Sequence, residues 1–453
     1  MWALVLGVAM LVIGVPVSVC IGVAATVALA STGTPLLVIP QQFFSNLNNF
    51  SLLAIPFFML TGAIMDTGGV SRRLIEFSQA LVGFMRGGIG HVTIIASMFF
   101  ADISGSATAD TAAIGSVMIP GMVRKGYSRS FATALQAAAG SLGLLFPPSM
   151  SMIVYAYVAN VSIGNLFLAS VIPGLLVVFS FMVVNYVVAV RRNYSAIQAF
   201  SWQVLWVSFK NAFWALLATV IILGGILGGI FTPVEAGVVA ALYVSIISRF
   251  VYKELTFAHF KEILIKTAVN TTRVTFLLGL AFVLGRYLIE QQIPAHVANS
   301  LLQVTTSALV LLILINIFLI VTHAVLETIS SIVVVIPVFM PLVEQMHVDP
   351  IAFGIIVLIN SAIGINLPPI GFCLYTAASL GGVTLEQATR AMVPFLFALL
   401  VDMVFVAAWV ACFIITFSLF LSFPVVDTFS WVFTLKGIGL ILDVLPRQDL
   451  AGL

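Results

Sequence analysis

Long, uninterrupted apolar runs constrain this chain more than any other feature of its sequence. The stretches 166–190 and 391–417 each contain at most one acidic or basic residue. A helix that crosses a bilayer needs about 20 apolar residues, and lipid admits only helices and closed barrels because backbone polar groups there must bond one another. These runs are continuous rather than alternating, so they predict helices. Only 8% of the residues are charged, against roughly 25% in a soluble domain, so the bilayer must act as solvent for most of the surface.

The sequence therefore predicts an all-α integral membrane protein with about eleven membrane segments. These segments are residues 2–30, 50–66, 88–122, 131–158, 166–190, 211–230, 237–251, 274–290, 305–342, 351–379 and 391–417. We expect the first to be a membrane helix bent or tilted near Pro16, because it is too long and too poor in basic residues for a signal peptide. Three amphipathic stretches, 67–87, 193–210 and 254–273, are expected on the cytoplasmic surface.

Two of the segments are too long for one ordinary span and carry polar residues in their middle. Residues 88–122 are interrupted at Asp102–Asp110, and residues 305–342 are interrupted at Glu327–Ser331. We expect each segment to fold back on itself as a re-entrant helical hairpin.

Two further segments, 131–158 and 351–379, are each interrupted by a Pro-Pro pair. Proline has no N–H and leaves a carbonyl one turn earlier without its helical partner. Each segment is predicted to be a broken helix whose free carbonyls line a site or cavity, because unpaired backbone groups are too costly in lipid.

The hairpins and broken helices recur at one fixed spacing along the chain. The pairs that lie 221 positions apart are Pro120 and Pro341, Gly143 and Gly364, Pro147-Pro148 and Pro368-Pro369, and Pro173 and Pro394. This spacing predicts an internal duplication. We divide the chain into a first repeat over 1–192, connecting helices and cytoplasmic amphipathic segments over 193–273, a second repeat over 274–417, and an unassigned extension over 418–453.

Charge predicts opposite orientations for the two repeats, because basic residues mark cytoplasmic loops. Basic residues flank the first hairpin on both sides, at Arg72, Arg73, Arg86, Arg124, Lys125 and Arg129. No Lys or Arg occurs from Tyr287 to Thr389, around the second hairpin. The first hairpin is therefore expected to enter from the cytoplasm and the second from outside, so that the repeats have inverted topology.

Inverted repeats with helices interrupted at mid-membrane are the recurrent plan of secondary transporters. Helix N-termini favour anions, and free carbonyls suit hard cations such as Na⁺. Other interpretations of single residues stay open. The serines at the tips could serve close helix packing. Asp102, Asp110 and Glu327 could cap hairpin helices, although intramembrane carboxylates indicate function by default. His323 could be a proton site or a structural residue.

Other classes of protein find no support in the sequence. The net charge of +2 is too small to indicate a nucleic-acid partner. Cys20, Cys373 and Cys412 are scattered, without metal or disulfide spacing. The sequence has no His-rich or Ser/Lys constellation that would indicate an intramembrane enzyme, and it implies no cofactor. A passive channel is disfavoured because hairpins in both repeats would plug a pore.

Several short stretches carry a family resemblance. They are FADISGSATAD at 100–110 and shorter matches at 53–58, 86–88, 229–236 and 326–328. Over about residues 1–415 the chain resembles the large membrane (DctM-like) subunit of tripartite ATP-independent periplasmic (TRAP) transporters. The resemblance implies an elevator-type transporter of the ion-transporter superfamily, in which two hairpins and two broken helices slide against a scaffold. It also implies Na⁺-driven uptake, without ATP, across the bacterial inner membrane. The expected substrate is an organic anion, such as a C4-dicarboxylate, a sialic acid or another sugar acid. A periplasmic binding protein and a small membrane subunit are the expected partners.

The resemblance also implies where ions and substrate bind. One Na⁺ site is expected at Ser104 and Ser106, with carbonyls near Gly143 and Phe146. The other is expected at Glu327 and Thr328, with carbonyls near Gly364 and Leu367. The substrate is expected between the two hairpin tips, at Gly105, Ala107, Thr108, Pro147, Asn366 and Pro368.

The sequence departs from the family pattern at three positions. Leu144, Leu367 and His323 stand where the family often has Pro, Thr and Gly. Leu367 has no hydroxyl, so only its carbonyl could bind Na⁺, and His323 alters the packing expected in the second hairpin. The alternative function is a stand-alone Na⁺-coupled anion carrier of the same superfamily that needs no binding protein.

Overall fold

A computed structural model describes residues 5–7, 9–10, 13–197, 199–305 and 307–421. Every regular element within those ranges is helical, as the apolar runs predict. Residues 1–407 form one compact unit, and residues 408–453 form a second. From residue 422 onward, the predicted extension 418–453 lies outside the described residues.

The helices are, in chain order, α1 (Val17–Ser31), α2 (Val38–Leu47), α3 (Ala54–Thr67), α4 (Val70–Val82), α5 (Gly88–Ser104), α6 (Ala107–Arg124), α7 (Arg129–Gly140), α8 (Met150–Val158), α9 (Ile163–Arg191), α10 (Trp202–Leu227), α11 (Pro233–Ile246), α12 (Phe257–Glu290), α13 (Ile293–Val304), α14 (Ala308–Val325), α15 (Thr328–Gln345), α16 (Pro350–Gly364), α17 (Phe372–Gly381) and α18 (Leu385–Leu421). Short 3₁₀ turns cover Phe50–Leu53 and Ser141–Leu144, and a π turn covers Ile247–Val251.

Seven helical stretches in the described residues are long and apolar enough to cross a membrane. They are Phe50–Thr67, Ile163–Arg191, Trp202–Leu227, Pro233–Val251, Phe257–Glu290, Thr328–Gln345 and Leu385–Ala408. Shorter apolar helices include the first arms of both predicted hairpins and both arms of the second predicted broken helix. Shortness is expected of an arm that ends partway through the bilayer, because a full span needs about 20 residues.

All four predicted interruptions are present. Hairpin 1 consists of α5 and α6, joined at Gly105–Ser106, and hairpin 2 consists of α14 and α15, joined at Leu326–Glu327. Broken helix 1 consists of α7 and α8, and broken helix 2 consists of α16 and α17. The Pro147–Pro148 and Pro368–Pro369 peptide bonds, both cis, lie within the breaks.

The spacing of 221 positions seen in the sequence also separates the ends of corresponding helices. Helices α6 and α15 begin 221 positions apart, at Ala107 and Thr328, and they end 221 positions apart, at Arg124 and Gln345. Helices α7 and α16 begin at the same spacing. Corresponding interruptions therefore fall at corresponding places in the two parts of the chain.

Helices of the two parts pack against each other. Helix α6 of hairpin 1 contacts α17 of broken helix 2, while α8 of broken helix 1 contacts α15 and α16. The Tyr155 hydroxyl on α8 donates a hydrogen bond to the carbonyl of Pro350 at 2.6 Å. The Tyr155 ring lies so close to Gly354 that a Cβ there would require a shift. Both hairpins and both broken helices therefore share one packed core.

The structure differs from the expected division of the chain in two respects. The first segment is interrupted rather than bent, because helix α1 begins at Val17 directly after Pro16. The stretches 193–210 and 254–273 do not form separate surface helices. Helices α10 and α12 begin within these stretches and continue into membrane spans, since nothing in the backbone interrupts them when side-chain polarity changes.

Candidate functional site

The tip of hairpin 1 rests directly on the break in broken helix 1. Helix α5 ends because Gly105 has a left-handed backbone (φ 58°), a conformation that glycine adopts readily. The Gly105 carbonyl accepts a hydrogen bond from the Met150 N–H at 3.3 Å. A Cβ at position 105 would lie only 2.6 Å from the carbonyl oxygen of Pro148. Glycine is therefore required for this close approach.

A buried carboxylate lies behind the tip. Asp110, in the first turn of α6, is fully buried, and its Oδ1 accepts a hydrogen bond from the Ser104 hydroxyl. Its Oδ2 has no hydrogen-bond partner among the described residues. The backbone of Gly143 lies so near that an added Cβ would overlap Oδ2. A buried carboxylate without a partner is costly, and a small cation beside Oδ2 would offset that cost.

The structure brings together the tip residues of hairpin 1 and the 3₁₀ turn that contains Gly143. The residues that meet there are Ser104, Gly105, Ser106, Ala107 and Gly143. Thr108 is exposed at the tip, and its hydroxyl lies 3.5 Å from that of Ser106. Phe146 is buried, with its ring against Gly174 of α9, and Pro147 is buried as well. Of the residues predicted for the first Na⁺ site, Ser104, Ser106 and Gly143 therefore lie together, whereas the Phe146 ring packs against α9.

The tip of hairpin 2 is built differently. The Glu327 carboxylate caps its own helix, accepting hydrogen bonds from the N–H groups of Ile329 at 3.1 Å and Ser330 at 3.4 Å. Thr328 is buried at the start of α15. A Cβ at Gly364 would overlap the backbone and Cβ of His323. The tip therefore packs on broken helix 2 through its backbone, and Glu327 makes the capping contact that the sequence left as one of two possibilities.

The break in broken helix 2 contains several residues that were predicted to bind Na⁺ or substrate. The Gly364 carbonyl accepts a hydrogen bond from the Leu367 N–H at 2.9 Å. Asn366 is fully buried and donates to the carbonyl of Ala362 at 2.9 Å, while its Oδ1 has no partner among the described residues. Pro368 is exposed. Two residues of this break were predicted to bind the substrate. Pro368 is accessible to a solute in this conformation, whereas Asn366 is enclosed.

A cavity of about 130 Å³ lies between hairpin 1 and helices α3 and α12. Its lining on the hairpin side includes Phe100, Ser104, Ser106, Ala109 and Ala113. On the opposite side it is lined by Met59, Gly62, Ala63, Asp66, Lys266, Thr267 and Asn270. The predicted Na⁺ ligands Ser104 and Ser106 therefore face a space bounded by helices outside the hairpin.

The polar wall of this cavity, formed by α3 and α12, was not predicted from the sequence. Lys266 is the one basic residue that lines it in the described part of the chain. It follows three apolar residues, Ile263–Ile265, in a helix that continues into the membrane. A lone basic residue in such a run was the available signal, but its position within an amphipathic stretch made it look like a surface residue.

The chain matches a family model over most of its length. The model described as "Tripartite ATP-independent periplasmic transporter, DctM component" matches residues 4–412. A C4-dicarboxylate TRAP transporter large permease protein from Pseudomonas aeruginosa is 40% identical over 365 residues, covering 81% of this chain and 86% of the relative. A sialic acid TRAP transporter large permease protein from Vibrio cholerae is 37% identical over 412 residues, covering 90% of this chain and 96% of the relative.

A third relative is longer than this chain. The isethionate TRAP transporter permease protein DctMQ of Oleidesulfovibrio alaskensis is 36% identical over 402 residues, which are 88% of this chain but 63% of the relative. Among solved structures, the YdaH transporter of Alcanivorax borkumensis superposes with a TM-score of 0.61 at 15% identity, over 83% of this chain and 89% of that one. At this identity the likeness concerns the fold alone.

Proposed function

Because the chain belongs to the DctM component family of tripartite ATP-independent periplasmic transporters, we propose that it is the large permease subunit of a Na⁺-coupled importer of an organic anion. It is a multi-pass protein of the bacterial inner membrane. The family is one of transporters, and the proposal concerns what drives the transport and what is carried.

One observation carries the proposal of Na⁺ coupling. Asp110 holds a carboxylate oxygen that has no hydrogen-bond partner in the described part of the chain, fully buried beside the Ser104 hydroxyl and the backbone of Gly143. Carboxylate, hydroxyl and carbonyl oxygens are the ligands that hard cations prefer. The Gly105 carbonyl bonds to Met150 next to this position. A cation there would bind hairpin 1 and broken helix 1 at once, and it would offset the buried negative charge.

Coupling to an anion follows from electrostatics. An anion near the tip of hairpin 1 is repelled by the ionised Asp110 carboxylate, and Na⁺ at that carboxylate removes the repulsion. Each ligand then raises the affinity for the other by the same factor, as binding linkage requires. The N-terminus of α6, which begins at Ala107, adds a favourable dipole for the anion.

The elevator mechanism is part of the proposal. Its support is the spacing of 221 positions between corresponding hairpin helices, which is typical of transporters built from repeats. The two hairpins and two broken helices would move together, because α6 packs on α17 and α8 packs on α15. Helices such as α3 and α12, across the cavity from hairpin 1, would belong to the scaffold.

The substrate class and the partners are proposed from the relatives. Those relatives are named for C4-dicarboxylate, sialic acid and isethionate, and all three are organic anions. We propose an anion of this kind for the present chain, with a small membrane subunit and a periplasmic binding protein as partners. The family match gives the stand-alone carrier no support.

Reconstitution tests the proposal. The chain is purified with its small membrane subunit, inserted into liposomes, and supplied with its binding protein. Uptake of labelled succinate, isethionate and N-acetylneuraminate is then compared with an inward Na⁺ gradient and with K⁺ in its place. We expect uptake of at least one anion that requires both the Na⁺ gradient and the binding protein. Uptake indifferent to both refutes the proposal, and Na⁺-driven uptake without the binding protein supports the stand-alone carrier.

A further inference from the structure

We propose that Lys266 on helix α12 is a substrate-binding residue of the scaffold, which receives the carboxylate or sulfonate group of a compact organic anion beside the tip of hairpin 1. Thr267 and Asn270 supply neutral hydrogen-bond donors to the same group. This inference rests on the proposed function and adds to it a contact from outside the hairpins and broken helices.

The cavity has a polar wall on each side. Residues 266 and 270 are one helical turn apart on α12 and therefore share a face, and both line the cavity. Ser104 and Ser106 line the wall on hairpin 1. Lys266 is exposed, whereas Thr267 and Ser104 are each 8% exposed. The cavity therefore has a buried part at Thr267 and Ser104 and an open part at Lys266.

Two polar groups on α12 lack partners. Lys266 forms no ion pair with any carboxylate in the described residues. The Thr267 hydroxyl is buried and has no hydrogen-bond partner there either. An unpaired hydroxyl in a buried position is costly. A bound carboxylate or sulfonate oxygen would satisfy both groups, because both donate hydrogen bonds.

The opposite wall also favours an anion. The first hydrogen bond within α6 runs from the Asp110 N–H to the Ser106 carbonyl, so the N–H groups before Asp110 have no partner within the helix. Ala109, which lies in this turn, lines the cavity. The Asp110 carboxylate itself is directed to Ser104 and Gly143. The anion thus meets the positive end of α6 on one side and the Lys266 ammonium on the other.

Asp66 on α3 lines the same cavity and is exposed at its open end. Its carboxylate attracts the Lys266 ammonium across the cavity, so the empty cavity has no formal net charge from these two residues. The lysine side chain is a flexible stem that carries a compact charge. It can therefore turn from Asp66 toward an entering anion, and turn back when the anion leaves.

The size of the cavity limits the ligand. The cavity measures about 130 Å³ and is open at Lys266. It encloses a charged group with a short carbon chain, whereas a nine-carbon sugar acid would extend out of the opening. Succinate and isethionate are accordingly the probes of choice, and N-acetylneuraminate is the oversized comparison.

A labelling experiment tests the charge of the cavity without any transport. Asn270→Cys is introduced into the full chain after Cys20, Cys373 and Cys412 have been replaced by Ala. The rates of modification by 2-sulfonatoethyl methanethiosulfonate, an anion, and by its trimethylammonium counterpart are measured in proteoliposomes. We expect Lys266→Met to lower the ratio of anionic to cationic rates at least fivefold.

Lys261→Met is the matched control for this ratio. Lys261 is an exposed residue of α12 five positions earlier, and it does not line the cavity. It lies on a different face of the helix, because five residues turn the helix by about 140° beyond one full turn. The control is expected to change the ratio less than twofold. An unchanged ratio in Lys266→Met, or an equal change in both variants, overturns the proposal.

A second experiment tests binding of the substrate itself. With whichever of succinate and isethionate the wild-type complex takes up, we expect Lys266→Met to raise the half-saturating anion concentration at least tenfold at saturating Na⁺. Lys266→Arg, which keeps the charge, is expected to stay within threefold of the wild type. Unchanged anion dependence in Lys266→Met overturns the proposal, as does uptake of N-acetylneuraminate alone.

The two experiments separate the inference from the proposed function. If no anion is taken up in response to Na⁺, the proposed function fails, while the labelling ratio still decides whether Lys266 makes the cavity attractive to anions. If Lys266→Met is not recovered as a folded protein, Lys266→Gln replaces it in both experiments. Lys266→Arg then shows whether the positive charge is what matters.

Discussion

Substitution of Gly105 by alanine perturbs the contact between hairpin 1 and broken helix 1 at a single atom. The left-handed backbone at Gly105 costs an L-residue about 1–2 kcal/mol. The new Cβ would lie 2.6 Å from the Pro148 carbonyl oxygen and 3.2 Å from the Met150 nitrogen. The tip must therefore withdraw, and the 3.3 Å hydrogen bond from Met150 to Gly105 is lost, at a further cost of about 0.5–1.5 kcal/mol.

The expected effect is a loss of Na⁺ affinity. If Na⁺ binds only when the tip lies on broken helix 1, the whole cost of seating the tip appears in the binding free energy. About 2–3 kcal/mol corresponds to a 30- to 150-fold rise in the half-saturating Na⁺ concentration, at about 1.4 kcal/mol per factor of ten. The assay is the Na⁺ dependence of anion uptake in proteoliposomes, with thermal unfolding of the purified variant as a check on folding.

Gly126→Ala is the matched control. Gly126 follows the second helix of hairpin 1 and also has a positive φ of 88°, but nothing lies within 4 Å of an added Cβ. Gly126 lies away from the tip, so its backbone cost falls on the folded protein with the tip seated or withdrawn, and its Na⁺ dependence should stay within threefold of the wild type. A wild-type Na⁺ dependence in a folded Gly105→Ala variant would refute the reasoning. Equal shifts in both variants would show that strain in the hairpin, rather than contact at its tip, controls Na⁺ binding.

Three further predictions concern other contacts. Ser104→Ala removes the hydroxyl that bonds to Asp110, so we expect at least a tenfold loss of Na⁺ affinity at unchanged expression, and unchanged Na⁺ dependence would remove Ser104 from the site. Glu327→Gln keeps an oxygen that can cap α15, so its Na⁺ dependence should change less than twofold. Glu327→Ala removes the cap and should lower the free energy of unfolding by about 0.5–2 kcal/mol. A tenfold loss of Na⁺ affinity in Glu327→Gln would instead show that the carboxylate binds the ion. Tyr155→Phe removes the 2.6 Å hydrogen bond to the Pro350 carbonyl. This change should lower the unfolding temperature by about 1–3 °C and leave the Na⁺ dependence unchanged. A shifted Na⁺ dependence would contradict a purely structural role for Tyr155.

The interruptions of the helices could be predicted because their causes are local. A Gly that adopts a left-handed backbone, or a proline that lacks an N–H, acts on its own turn wherever the helix lies in the protein. The breaks around Gly105 and around Pro147–Pro148 were therefore found in the right places. The spacing of 221 positions added the long-range information, since one repeat indicated how to interpret the other.

The contacts that depend on tertiary packing could not be predicted in the same way. Lys266 and Asp66 line one cavity although 200 positions separate them along the chain, and no local pattern indicates that α3 and α12 face hairpin 1. The extent of α12 was missed for a related reason. Its polarity changes along its length while its backbone hydrogen bonds continue from Phe257 to Glu290.

The roles of the carboxylates at the hairpin tips could be predicted only in part. The sequence indicated that Glu327 was either an ion ligand or a helix cap, and the structure shows the capping contacts. The sequence left the same two possibilities for Asp110, yet Asp110 makes no cap and faces Gly143 with an oxygen that has no hydrogen-bond partner among the described residues. From the sequence, both residues are carboxylates near a hairpin tip, and nothing distinguishes their roles. The roles differ because different groups of the neighbouring element lie opposite each carboxylate.

The packing of α6 on α17 also has a consequence for biosynthesis. The face of α6 at Gly115 is buried against Leu380 of α17, and Phe372, where α17 begins, follows the end of α6 at Arg124 by almost 250 residues. At about 5–20 residues per second, the ribosome releases α17 on the order of 10–50 s after α6. During that interval lipid or the insertion machinery must cover a surface that later becomes protein core. Hairpin 1 thus gains its packing partner α17 only late in synthesis, and a nascent chain stalled between the two helices would hold hairpin 1 in the membrane with this face of α6 uncovered.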